Sequence, residues 1–197
     1  ALQLWPQPVA VLLSMAATIY ATGAFHEDGL SDSVDGLGGG WDKLRILEIM
    51  KDSRVGSYGV VAMVLALLGK FTLLAALDGA LVPWALLAGH ALSRFCATLL
   101  LASMDYVRED LLAKAKPLAT RLTGGEMLVA LGFAAAALCF LPAPRAFAGC
   151  ALAALATLWL VRKFRRWLGG YTGDCLGTVQ QVAEIAFYLG LLATLAR

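Results

Sequence analysis

Asp28, Asp32 and Asp35 stand at i, i+4 and i+7. On a helix that spacing sets all three carboxylates on one face. They belong to a denser cluster. Seven of the fourteen acidic residues, Glu27, Asp28, Asp32, Asp35, Asp42, Glu48 and Asp52, fall between His26 and Tyr58. Carboxylates this close repel one another, and a divalent cation is the simplest relief. Mg2+ commonly takes a few carboxylates and completes its shell with water and substrate phosphate oxygens. The triplet is therefore a candidate Mg2+ site, weighed against a solvated helix end with no ligand. Gly29 and Gly36 remove side chains beside two of the aspartates, which would admit a bulky phosphate-bearing ligand. Gly38-Gly39-Gly40 would then allow a sharp turn.

Other residues add cationic and metal-approach chemistry. Arg54 can hold a phosphate with its forked donors, or simply anchor the next apolar run at a membrane surface. Tyr106, Arg108, Lys114 and Lys116 are candidate contacts for an anionic substrate or for anionic lipid. Asp174 sits in the glycine-rich GGYTGDCLG, Gly169 to Gly177, a turn entering a helix where phosphate or metal could approach; its alternative is a plain helix cap. Lys70, Arg94 and Glu184 interrupt otherwise apolar runs. Ionisable groups there are costly and face a polar interior or one another. His90 lies one turn before Arg94, and Gln180 and Gln181 precede Glu184.

The elements that must position these residues are membrane helices. The chain is 60% hydrophobic and only 15% charged, with a mean hydropathy of +0.74. A soluble domain carries about 25% charged residues. Apolar runs fall at Pro8–Phe25, Gly59–Leu77, Leu81–Met104, Met127–Leu141, Ala146–Val161 and Leu176–Ala196. A crossing needs roughly 20 such residues, so the expectation is an all-α, polytopic bundle of about six spans in one membrane-embedded domain, 1–197. The fourth and fifth runs are short and could form one tight hairpin across Pro142-Ala-Pro144. No basic start or cleavage site marks a signal peptide, and an early span after Ala1 suggests a chain without its true beginning. Twelve of the sixteen basic residues lie in the loops after the first, third and fifth runs. The positive-inside rule places those loops in the cytoplasm, as would suit an inner-membrane, multi-pass protein whose site faces the cytoplasm. Cys96, Cys139, Cys150 and Cys175 share no ligand-like spacing, which argues against zinc or a disulfide framework. The segment Asp42–Ser53 alternates apolar and charged residues as an interfacial helix would.

HEDGLSDSVDG, LEIMKDSRVGSYG, LLGK and GGYTGDCLG together resemble the cobalamin 5′-phosphate synthase family, whose other name is adenosylcobinamide-GDP ribazoletransferase. The family pattern runs HxDGLADxxDG, LEIMxDSRxG, a lysine in the next span, and GGxTGDxLGA. YVRED followed by AKAKP looks like one branch of it, so the resemblance covers nearly the whole chain. Ser31 and Thr178 stand where alanines are usual, and a further N-terminal portion with an arginine–proline element is absent. The resemblance implies a Mg2+-dependent transferase joining adenosylcobinamide-GDP to α-ribazole, or to its 5′-phosphate, with release of GMP. It implies Asp28, Asp32, Asp35 and Asp174 as metal ligands. Arg54, Lys70, Arg94 and Arg108 would be phosphate clamps. Asp52 and His26 are the candidate bases.

Three other readings compete. A CDP-alcohol phosphotransferase also clusters aspartates at a membrane face, but its motif needs Ala-Arg after DG, which neither DGLSDS nor DGLGGG supplies. A cation-coupled secondary transporter would show repeated halves and broken mid-membrane spans. A membrane scaffold leaves the acidic cluster unexplained. The expected partners are the two substrates and the lipid bilayer, not nucleic acid; an oligomer is left open.

Overall fold

A computed structural model describes residues 4–107 and 122–193. Eight helices follow one another: α1 Gln7–Thr22, α2 Phe25–Gly39, α3 Lys43–Ile49, α4 Ser57–Ala76, α5 Val82–Ser103, α6 Gly124–Leu138, α7 Ala143–Leu168 and α8 Gly173–Leu192. Their ends follow local chemistry. Proline occupies the first turn of α1, α5 and α7, where its missing N–H costs nothing. Thr123 and Glu126 close a reciprocal capping box on α6, and the Thr172 hydroxyl accepts from Cys175 N at the start of α8. Between α1 and α2 the chain turns by 84°. Gly23 and Ala24 make that corner in the left-handed region, which is costly for Ala24 because of its Cβ.

The all-α class is as expected. Four helices, α4, α5, α7 and α8, are long and apolar enough to cross a bilayer, and α1 with α2 makes a fifth only if the bent pair is one span. Six full crossings are therefore more than the described helices supply. With 15 residues, α6 is roughly 22 Å long, short of a hydrocarbon core of about 30 Å. The tight hairpin of the fourth and fifth runs is not formed either: α6 packs on α5, while α7 packs on α8.

The central element is α8. Of its apolar window 67% is buried, against 22–33% for the other three candidate spans, and α2, α4, α5 and α7 all pack on it. Small residues permit this. A Cβ on Gly190 would lie 2.5 Å from Gly149 Cα of α7. Backbones approach this closely in membranes because dispersion and hydrogen bonding, not water exclusion, hold helices together. At the end where α5 and α7 stop and α8 begins, Tyr106 and Tyr171 form a parallel bridge, with Tyr171 N donating to Asp105 O at 3.0 Å.

Candidate active site

The acidic segment is not a loop but the helix α2, so the one-face spacing of Asp28, Asp32 and Asp35 is real. Three neighbours then fix what each face of α2 can do. Against α4, the Asp35 carboxylate accepts from Gly56 N at 2.7 Å and Gly59 N at 2.8 Å. These are N-terminal amide groups of α4, which have no partner inside their own helix. The positive end of that helix also favours the carboxylate charge. Asp35 is 7% exposed. A Cβ on Gly56 or Gly59 would collide with its carboxylate, so the glycines of RVGSYG are the condition for this anchor.

Against α8, the backbones of α2 and α8 touch. A Cβ on Gly29 would lie 2.9 Å from Asp174 O, and one on Gly177 would lie 3.0 Å from His26 O. The Thr178 hydroxyl donates to Gly29 O at 3.0 Å. This junction sets the first turn of α8, with Asp174 half-buried, against the turn of α2 that carries His26 and Asp28. Asp32 follows one turn on, also half-buried, and Asp28 is exposed. The backbone of Asp174 thus lies against α2, the helix of the acidic motif, despite its distance in sequence. Thr172, not Asp174, is the N-cap.

The glycines have a different role from the one expected. Gly29 makes room for Asp174 rather than for a ligand. Gly36 makes room for Met50 and Ile46, against which α3 is docked, and α2 continues helically through Gly38 and Gly39. Gly173 faces nothing within 4 Å.

Among the described residues, no group of three or more His, Cys, Asp or Glu side chains is arranged to hold a metal ion. The donor chemistry nevertheless suits one. Asp28, Asp32 and Asp174 offer hard oxygens on abutting backbones, and a Mg2+ shell needs only a few carboxylates besides water and phosphate.

Toward the C-terminal end of α2 an open basin of about 470 Å3 is lined by Asp35, Gly39, Arg45, Asp52, Arg54 and the first turn of α4. Arg54 grips Asp52 bidentately, Nε to Oδ1 at 3.0 Å and Nη2 to Oδ2 at 2.6 Å, and its backbone N also donates to Oδ1. Hydrogen bonds from Arg54 hold the Asp52 carboxyl down at about 2. That makes Asp52 a weak proton acceptor in this arrangement. The Arg54 fork is exposed and can exchange Asp52 for a phosphate.

Lys70 is no clamp at the surface. It is buried in α4 and its Nζ donates to Glu184 Oε2 of α8 at 3.1 Å. Gln180 Nε2 and Tyr188 OH also donate to Glu184, at 2.6 and 2.9 Å, and His90 Nδ1 lies 3.6 Å from it. The network continues to α2 through Gln181 Nε2, which donates to Glu27 Oε1 at 2.9 Å. Its apolar side borders a cavity of about 20 Å3, large enough for one water. Glu184, Gln180, Gln181 and His90 were legible as interior polar groups. Tyr188 and Ser93, whose Oγ accepts from Gln180 Nε2 at 3.2 Å, were not singled out, and Glu27 was read only as part of the acidic cluster, although a buried lysine signals an acid partner and further donors nearby.

Arg94 is exposed on α5 and donates to His90 O at 3.1 Å. Tyr106 stacks edge-on against Tyr171 at 5.5 Å, a structural use rather than a free contact. Arg108, Lys114 and Lys116 lie outside the described residues. No disulfide joins the four cysteines.

A family model described as cobalamin-5-phosphate synthase matches residues 1–192. Proteins named adenosylcobinamide-GDP ribazoletransferase are similar throughout. One from Polaromonas sp. (strain JS666) is 46% identical, over 95% of this chain and 73% of its own length. One from Shewanella amazonensis is 47% identical, over 96% and 74%. One from Leptothrix cholodnii is 47% identical, over 98% and 76%. No solved structure matches the chain.

Proposed function

Because the chain belongs to the cobalamin-5-phosphate synthase family, we propose that it transfers the cobinamide phosphate of adenosylcobinamide-GDP to α-ribazole or its 5′-phosphate. The products are adenosylcobalamin, or its 5′-phosphate, and GMP, and the step falls late in cobalamin synthesis. The CDP-alcohol and transporter readings are left without a supporting observation. The observation that carries the site assignment is the α2–α8 junction, which sets Asp174 beside the turn bearing His26 and Asp28.

The ribazole hydroxyl oxygen forms a bond to the cobinamide-bearing phosphorus. The bond from that phosphorus to the oxygen bridging to GMP breaks, and the hydroxyl proton leaves to a base. Such transfers depend mainly on positioning and charge neutralisation. Asp28, Asp32 and Asp174 are the residues that would hold Mg2+, which neutralises phosphate charge when bound. Asp35 orients them by fixing α2 on α4. Arg54 binds the diphosphate on release from Asp52, and Arg45 lines the same basin. Arg94 and Arg108 remain secondary phosphate contacts in this proposal. His26 is the preferred base, since its backbone lies at the junction while Asp52 is held as a strong acid. Lys70 holds the bundle rather than the substrate. The excess of basic residues in alternate loops supports an inner-membrane placement with this end in the cytoplasm.

The test is purified protein in lipid, given adenosylcobinamide-GDP and α-ribazole, with GMP release followed with and without Mg2+. Asp32→Asn is expected to abolish release while the protein stays folded. Near-normal turnover of Asp32→Asn in saturating Mg2+ would remove the aspartate face from the mechanism.

A further inference from the structure

We infer that the groove between α4 and α7 is a binding site for one anionic phospholipid. Both helices pack on α8, and between them lies a groove of about 450 Å3 floored by α2 and α8. That size is in the range of ligand sites. Its polarity is graded along its length. Lys163 near the end of α7, Tyr58 in the first turn of α4 and Ser33 of α2 line one end; Leu65, Ala66 and Ile185 line the other. The apolar end is formed by helices long enough to cross a bilayer. It is flanked by Leu65 and Trp159, 65% and 56% exposed. A groove that opens between two spans in a bilayer meets acyl chains first. At the polar end, Lys163 Nζ lies 5.1 Å from the centre of the Trp159 ring, so its charge is held over the groove mouth. Ser33 is 0% exposed, yet its Oγ has no hydrogen-bond partner. Buried hydroxyls rarely lack one, so this one is available to a headgroup or glycerol oxygen. A cation at the mouth, an unpaired hydroxyl inside and an apolar run below match an anionic headgroup, its ester region and its chain, in that order. Basic residues at the cytoplasmic surface select anionic lipids in the same way.

The experiment uses the full chain in nanodiscs of phosphatidylcholine and phosphatidylglycerol, released gently into native mass spectrometry. The wild type is expected to retain one phosphatidylglycerol in preference to phosphatidylcholine. Lys163→Glu should lower phosphatidylglycerol retention at least tenfold. Ala62→Trp, which fills the apolar half, should lower retention of both lipids. Arg145→Glu, at the other end of α7, should change neither. Equal retention by wild type and Lys163→Glu overturns the inference. So does an Ala62→Trp protein of unchanged melting temperature that keeps its lipid but loses GMP release, because the groove then belongs to substrate. Lipid retention is read independently of turnover, so failure here leaves the proposed reaction standing.

Discussion

Asp35 offers the sharpest separation of structure from chemistry. It shares a face with Asp28 and Asp32, and by sequence all three are equivalent ligands. In the fold its two oxygens accept from Gly56 N and Gly59 N at 2.7 and 2.8 Å. Hydrogen bonds to a charged acceptor are worth about 1.5–3 kcal/mol each. Asp35→Ala removes both. Gly59 is buried and its N–H gains no water, whereas Gly56 is half-buried and is partly re-solvated. The expected loss is therefore about 3–4 kcal/mol rather than the full sum. For a chain of this size that corresponds to roughly 6–16 °C in melting temperature. Asp35→Asn keeps one acceptor but turns an amide donor toward the other N–H, so it should fall between wild type and Asp35→Ala. The assay is thermal unfolding in detergent, run without metal, beside GMP release. Asp32→Asn, by contrast, should abolish turnover in a protein that still unfolds cooperatively. If Asp35→Ala melts within about 2 °C of wild type yet is inactive, its carboxylate is a ligand and the anchoring argument is wrong.

The interior ion pair gives a second expectation: Lys70→Met should destabilise by about 3–5 kcal/mol because it strands Glu184, and adding Glu184→Gln should restore part of that loss in an unfolding titration. At the α2–α8 junction, Gly29→Ala forces Cβ against Asp174 O and should cost about 1–3 kcal/mol. Turnover should fall by more than that stability loss explains, whereas Gly124→Ala, whose Cβ meets nothing within 4 Å, should be silent in both assays. The Asp52 carboxyl, held at about 2 by Arg54, lies below its ordinary value near 3.9. Its pairing therefore contributes fully above about pH 4 and is lost as pH falls through about 2. In a carbon-detected titration, Arg54→Gln should return the midpoint toward 4, and an unmoved midpoint would show that Arg54 is not the cause.

Much of this protein was determined locally. Long apolar runs specify spanning helices because backbone groups in lipid must be satisfied within the segment. An i, i+4, i+7 spacing fixes a common face wherever the segment is helical. Thr172, Thr123 and the helix-starting prolines act within one turn, so their effects are readable without the rest of the chain. What the tertiary structure decided is which neighbour each face receives. Three aspartates of one type acquire different surroundings: Asp28 is exposed, Asp32 is half-buried and Asp35 is committed to α4. Lys70 reads either as a substrate cation or as a partner of another interior charge until Glu184 is found opposite it. Gly29 and Gly36 read as space for a ligand until α8 and α3 fill that space. Such assignments depend on contacts across as many as 154 residues of chain, as between Gln181 and Glu27. No local pattern encodes them, because a side chain's role is set by what lies across from it when the helices close.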